Sequence, residues 1–283
     1  MALLKIILLI VCAIVACMVL LVSCEKKIIY YPHKYPTGNW NAQSFGIEVE
    51  DVFFKSLDGI SLHGWYVPTD EPQATLLWFH GNAGNITHRI ENILLLKPLK
   101  LSIFIFDYRG YGRSRGKPDE LGLYKDSLAA YDFLIREKKV AIETLFLFGR
   151  SLGGVCAVEV ASKRPATGLI LESTFTSAQD MVKNMFPILP LGQFIKSRFN
   201  AIETIATVRI PKLFLHGTDD EIVPYLLGRR LYNAAPQPKQ FYDIQGSRHN
   251  DTYIMGGEPY IDRIGQFLTE TLASSTQSQK QNP

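Results

Sequence analysis

FLFGRSLGGVCAV, residues 146–158, places Ser151 between Gly149 and Gly153, directly after an apolar run and directly before a small-residue stretch. Composition alone puts a Gly-x-Ser-x-Gly motif somewhere in roughly one chain in ten of this length, so the context decides. Leu145–Phe148 reads as a short, fully buried strand, as in parallel sheets. Leu152–Lys163 reads as a helix rich in alanine and valine. A strand, a serine and a helix in immediate succession are the setting of a nucleophile elbow. Such a turn strains the backbone at the serine and brings helix and strand close together. Gly149, Gly153 and Gly154 supply positions without a Cβ where that approach is closest.

Outward from this turn, strands and helices alternate. Val49–Lys55 and Ile60–Val67 read as a hairpin turning at Asp58-Gly59. Thr75–Phe79, Ser102–Phe106, Gly168–Leu171, Leu213–Leu215 and Gln240–Ile244 read as further strands. Helices are predicted over Ile86–Leu96, Leu121–Lys139 (after a Pro118-Asp119-Glu120 start signal), Tyr225–Asn233 and Tyr260–Leu272. Alternation of this kind predicts a mostly parallel central sheet with helices on both faces, one α/β domain over about 46–273. The proline-containing stretch between Thr174 and Ile210 interrupts the rhythm and reads as a small cap insertion, about 174–210. Met181, Met185, Phe186, Leu189 and Phe194 within it would suit an acyl-chain pocket, although such residues are more often plain core. The polar segment 274–283 reads as a disordered tail.

The 283 residues are 47% hydrophobic and 20% charged, which fits one large domain better than two small ones. The formal net charge is +3 without a long basic stripe, so nothing points to nucleic acid. Cys12, Cys17 and Cys24 lie in the N-terminal segment, which leaves Cys156 alone in the body and excludes an intradomain disulfide. Cys156 reads as a small buried core residue rather than a second nucleophile.

Ile6–Ser23 is an uncharged run of 18 residues, at the lower limit for a membrane span and also similar to a signal peptide. Leu21-Val22-Ser23-Cys24 resembles the lipobox of bacterial lipoproteins, in which the cysteine is lipidated and becomes the new N-terminus. Either reading, lipidation at Cys24 or an uncleaved signal anchor, makes residues 1–24 a tether and 25–45 a connector. The export-like segment places the domain on the exported side of the membrane.

A serine hydroxyl becomes a useful nucleophile when a base accepts its proton, and a histidine base needs a carboxylate to fix its tautomer. Of the six histidines, His33 lies in the connector, His63 in the hairpin and His88 just inside a helix. His80 and His216 each end a strand before a glycine, which suits structural hydrogen bonds. His249, in the loop GSRHND after the last strand, is the base candidate, because Ser, then Asp or Glu, then His is the chain order of α/β-hydrolases. The carboxylate belongs on a loop between Ser151 and His249. Asp219, Asp220 and Glu221 all qualify by spacing, and Glu172 is a further candidate. An oxyanion hole needs backbone N–H donors. Leu152, after the serine, supplies one. The glycine-rich loop in LLWFHGNAGN, residues 76–85, supplies the other from Asn82 or Ala83. No P-loop lysine follows that loop, so phosphate cradling is not indicated.

HGNAGN, DYRGYGRSRG, GRSLGG, HGTDDEIVP and GSRHND occur in this order. Together they resemble the α/β-hydrolase-domain serine hydrolases of the Bem46-like, serine-aminopeptidase-like group, over roughly Ile28 to Leu272. The resemblance implies an α/β-hydrolase fold with a minimal cap and an N-terminal membrane anchor. Its His-Gly-x-x-Asp-x-x-Val-Pro pattern falls on His216, Gly217, Asp220, Val223 and Pro224, which selects Asp220 as the acid. Arg248 is bulkier than the small residue the group carries before its histidine. Asp107, Arg109 and Gly110 match a structural turn without a chemical role. The expected activity is hydrolysis of carboxylic esters or thioesters through an acyl-enzyme, an EC 3.1 reaction. It acts on a small-molecule, lipid-like or acylated-protein substrate and requires no metal or organic cofactor. The alternatives are a serine peptidase or amidase, and a non-catalytic envelope binding protein on a hydrolase scaffold. No sequence signal sets the oligomeric state.

Overall fold

The structure, a computed structural model, describes residues 4–9, 12, 19, 23–188 and 191–281. The strands are β1 (Tyr31–Pro32), β2 (Glu50–Lys55), β3 (Ser61–Val67), β4 (Ala74–Phe79), β5 (Ala83–Gly84), β6 (Leu101–Asp107), β7 (Leu145–Arg150), β8 (Gly168–Glu172), β9 (Lys212–Gly217) and β10 (Lys239–Ile244). The helices are α1 (Glu25–Ile29), α2 (Ile90–Leu96), α3 (Glu120–Arg136), α4 (Leu152–Lys163), α5 (Ala178–Met185), α6 (Ala201–Ile205), α7 (Tyr225–Ala234) and α8 (Thr252–Gln281). Among the described residues, eight strands form one sheet in the order β10-β9-β8-β7-β4-β6-β3-β2. Pairing is parallel from β10 to β6, and β3 and β2 are added antiparallel at the far edge.

Burial explains the sequence pattern. β4, β6, β7, β8 and β9 are buried along their whole length, because helices cover both faces. They therefore read as continuous apolar runs. Edge strand β2 alternates, with Val52 and Phe54 inward. One face packs against α3, α4, α6 and α7 through Leu123, Leu128, Val155, Ile205 and Leu231. The other packs against α2 and α8 through Ile90, Ile93, Tyr260, Ile264 and Phe267.

Several boundaries move. The helix expected over Ile86–Leu96 opens as a 3₁₀ turn, Ile86–Arg89, because Asn85 caps it at the Thr87 amide. The helix expected from Tyr260 is preceded by the first turns of α8. Gly257 (φ 52°, ψ −144°) and Pro259 break the run there and hide its periodicity. α8 then continues to Gln281, through most of the polar segment. Between β8 and β9 the insertion is built from α5, a 3₁₀ turn at Leu191–Gln193, and α6. Met181 is half-buried against the core, whereas Met185 and Phe194 are exposed. Those last two therefore face solvent rather than line a closed acyl-chain pocket, and Leu189 lies outside the described residues.

The Ile6–Ser23 run falls largely outside the described residues. Among those described, no helix is long and apolar enough to cross a membrane. The connector that follows is folded onto the domain. Glu25 is buried, and its carboxylate accepts from the amides of Lys196 and Ser197 in the cap insertion.

Candidate active site

β7 delivers Ser151 directly. The strand ends at Arg150 and α4 starts at Leu152, leaving the serine at φ 53° and ψ −120°, in the left-handed half of the map. A non-glycine residue held there is strained, and surrounding structure must hold it. The Ser151 amide donates to the Glu172 carbonyl at 2.8 Å, and the Ser151 carbonyl accepts from the Gly154 amide at 2.9 Å. The glycines are needed for contact. A Cβ on Gly153 would stand 2.0 Å from the Phe79 carbonyl oxygen, and one on Gly149 would stand 2.5 Å from the Gly154 Cα. No side chain fits at either distance, so the tight helix–strand approach inferred from the motif is present.

β9 and β10 carry the other two residues. Asp220 follows β9 and His249 follows β10. The His249 Nδ1 lies 2.8 Å from Asp220 Oδ2 and 3.0 Å from Oδ1. A carboxylate only accepts, so Nδ1 carries the proton and Nε2 does not. The Ile222 and Val223 amides also donate to Asp220, at 3.0 and 2.7 Å. Burial alone would raise the Asp220 pKa. Hydrogen bonds from His216, His249 and the Val223 amide outweigh it and hold the carboxyl well below the usual carboxylate range. Its neighbours do other work. Asp219 is exposed, and Glu221 accepts from the His249 amide at 3.1 Å. His216 donates from Nε2 to the Val223 carbonyl at 2.9 Å and shapes the same loop. Arg248 points to solvent, and the fully buried Ser247 fills the tight position against Gly217.

Ser151, Asp220 and His249 are each less than a tenth exposed, at 8%, 7% and 5%. No hydrogen bond joins Ser151 Oγ to the His249 ring. Such contacts commonly tighten only when substrate is bound.

What fastens the histidine loop to the elbow is Arg150, which was not singled out from the sequence. Its guanidinium donates to the His249 carbonyl, to Asn250 Oδ1 at 3.3 Å and to Glu172 Oε1 at 3.1 Å. Glu172 also accepts from the Thr252 and Tyr260 hydroxyls. It is thus a buried strut between β8 and α8 rather than the partner of His249, which removes it as the acid. Replacing Arg150 with Met would free the histidine loop and strand the Glu172 charge. Its kcat should fall ~10- to 100-fold with KM nearly unchanged. Steady-state kinetics of R150M beside R150K, with thermal unfolding recorded for both, checks this.

The glycine-rich loop lies against the serine. A Cβ on Gly81 would stand 3.7 Å from the Ser151 Cβ. Gly81 is thus the loop residue that meets the elbow; Asn82 and Ala83 follow it directly, Asn82 half-buried and Ala83 exposed. Below the loop, His80 is fully buried, and burial lowers its pKa to about 3, so it is neutral. Its Nδ1 donates to the Gly81 carbonyl at 2.7 Å, the structural role expected of it. Asp107 accepts from the Ile86 amide, and Arg109 binds Asp58 and Asp126. That turn is structural. Cys156 is fully buried, and burial pushes its thiol up to about 12. Cys156→Ala should leave kcat/KM within about twofold, and the folded protein should not be alkylated there by iodoacetamide at pH 8.

An eight-stranded sheet, a strained serine elbow after its fifth strand and acid and histidine loops after its last two define an α/β-hydrolase. The sequence profile described as "Serine aminopeptidase, S33" matches residues 70–199. A protein of Mycobacterium tuberculosis is 38% identical over 251 residues, spanning 88% of this chain and 89% of its own. The α/β-hydrolase domain-containing protein WAV2 of Arabidopsis thaliana is 35% identical, spanning 90% of this chain and 91% of its own. Bem46 of Schizosaccharomyces pombe is 33% identical, spanning 87% and 86%. A Pyrococcus furiosus esterase shares the fold at TM-score 0.72 and 18% identity, spanning 86% of this chain and 98% of its own. The chain belongs to the Bem46-like group of the α/β-hydrolase family.

Proposed function

We propose that this protein is a serine hydrolase that cleaves carboxylic esters or thioesters through an acyl-enzyme. The observations that support the reading are the Asp220–His249 pair, with the imidazole proton fixed on Nδ1, and the strained Ser151 backbone, whose neighbour Arg150 fastens the histidine loop. His249 Nε2 takes the Ser151 proton as Oγ attacks the carbonyl carbon. The tetrahedral oxyanion is held by the amides of Leu152 and of Asn82 or Ala83. The tetrahedral intermediate collapses, expelling the alcohol or thiol, which His249 protonates. Water then repeats the cycle and releases the acid. Asp220, kept ionised by its hydrogen bonds, stabilises the imidazolium that forms in each half.

The tether read from Ile6–Cys24 would hold this site at a membrane surface, where lipid-like or acylated-protein substrates arrive. A peptidase reading draws on the family profile described as a serine aminopeptidase. Purified protein offered p-nitrophenyl esters of two to twelve acyl carbons beside aminoacyl p-nitroanilides separates the two. Ester turnover exceeding anilide turnover by ~100-fold or more is expected. Preferential anilide cleavage would replace the esterase reading with the peptidase one.

A further inference from the structure

We infer that the connector Tyr31–Gly38 is a positioning element of the oxyanion loop, so that the tether and the chemistry are mechanically joined. This rests on the hydrolase reading above.

A catalytic loop of this kind must be rigid before substrate arrives, because donors that reorient during the reaction give little stabilisation. Residues 80–85, HGNAGN, include two glycines and start from a large unfolded freedom. From inside, His80 holds the Gly81 carbonyl and the Tyr111 hydroxyl bonds Asn82 Oδ1 at 3.3 Å. The Arg89 guanidinium holds the Ala83 carbonyl at 2.7 Å. The remaining support comes from the connector. β1 lies parallel to β5, with Tyr31 opposite Ala83 and Pro32 opposite Gly84. The His33 amide donates to the Gly84 carbonyl at 3.0 Å.

Asn85 completes the junction with both ends of one buried side chain. Its Nδ2 donates to the His33 and Thr37 carbonyls at 3.0 and 2.8 Å. Its Oδ1 accepts from the Thr87 amide and hydroxyl at 3.0 and 2.6 Å. Gly38 then passes over this turn at φ 106°, so close that a Cβ there would stand 2.0 Å from the Thr87 hydroxyl. The connector is also stitched to the next turn, with the Gly112 amide donating to the His33 carbonyl and the Tyr35 amide to the Gly112 carbonyl, both at 2.9 Å. The segment that leads from the tether is therefore the outer wall of the loop carrying Asn82 and Ala83. Pulling it away releases one of the two oxyanion donors.

Two full-chain variants test this from opposite sides. Gly38→Val lifts the connector off the Thr87 hydroxyl without changing any residue of the loop, and Asn85→Asp keeps the oxygens facing Thr87 while removing both donors to the connector. Each is compared with wild type on p-nitrophenyl butyrate and on its thionoester, whose C=S sulfur is a poor hydrogen-bond acceptor. In both variants the ester kcat should fall ~10- to 100-fold with KM held within about threefold. The ester-to-thionoester ratio of kcat/KM should fall by ~10-fold. Unchanged ester turnover in either variant overturns the inference. An equal loss on both substrates, the mark of a reduced folded fraction, overturns it too. A wild-type protein inert on both substrates and unlabelled at Ser151 would instead refute the hydrolase reading.

Discussion

Ser151→Ala should lower kcat on p-nitrophenyl acetate or butyrate by ~10⁴-fold or more, with KM and thermal stability close to wild type. The expected size follows from the role. Without Oγ no acyl-enzyme forms, and only the oxyanion donors and substrate binding remain to favour direct attack by water. Alanine is tolerated at the site because the strain belongs to the backbone, which is held by the Glu172 carbonyl and the Gly154 amide rather than by the side chain. Hydrolysis that survives the substitution would remove Ser151 from the mechanism.

Asp220→Asn should lower kcat by a comparable ~10⁴-fold. An asparagine amide can turn its NH₂ toward His249, and the ring then moves its proton to Nε2, the atom that must stay free. The same substitution has a stability signature with a fixed sign. The folded carboxyl titrates below its ordinary unfolded value, so its contribution is present at neutral pH and is lost as pH falls below ~4. Urea denaturation should accordingly find wild type more stable than D220N at pH 7, with the difference shrinking toward pH 3. A difference that grows on acidification would mean the Asp220 carboxyl is destabilised, not stabilised, by its surroundings.

The parts of this site that were legible in the sequence are those fixed by local geometry. Gly149, Gly153 and Gly154 announce the elbow because the close approach of α4 to β7, to the end of β4 and to Thr174 after β8 leaves no room for a Cβ. His249 is legible from its place after the last strand. Asp219, Asp220 and Glu221 are consecutive, and spacing cannot rank them. The tight turn after β9 buries Asp220 beside His249 and leaves Asp219 in solvent. Only the resemblance separated them beforehand.

Arg150 and Glu172 were illegible for a different reason. They face each other because β7 and β8 pair in a register that sets residue 150 opposite 172. Register between parallel strands is set by packing across the whole sheet, not by neighbours in sequence. Glu172, read alone at the end of a strand, looks like an acid candidate for the same reason that it makes a good strut. The connector shows the limit most plainly. Its proline-containing sequence reads only as a connector, yet Tyr31 and Pro32 lie beside residues some fifty positions later. A two-residue parallel pairing leaves no periodicity to detect.

The central claim is that Ser151 is a nucleophile activated by His249. The most direct measurement is fluorophosphonate labelling of the full-length protein followed by peptide mass spectrometry. A single phosphonyl adduct on Ser151, absent from S151A and slowed at least ~100-fold in H249A, is the expected result. No adduct on an otherwise folded protein, or an adduct on Ser151 that forms equally fast without His249, would contradict it.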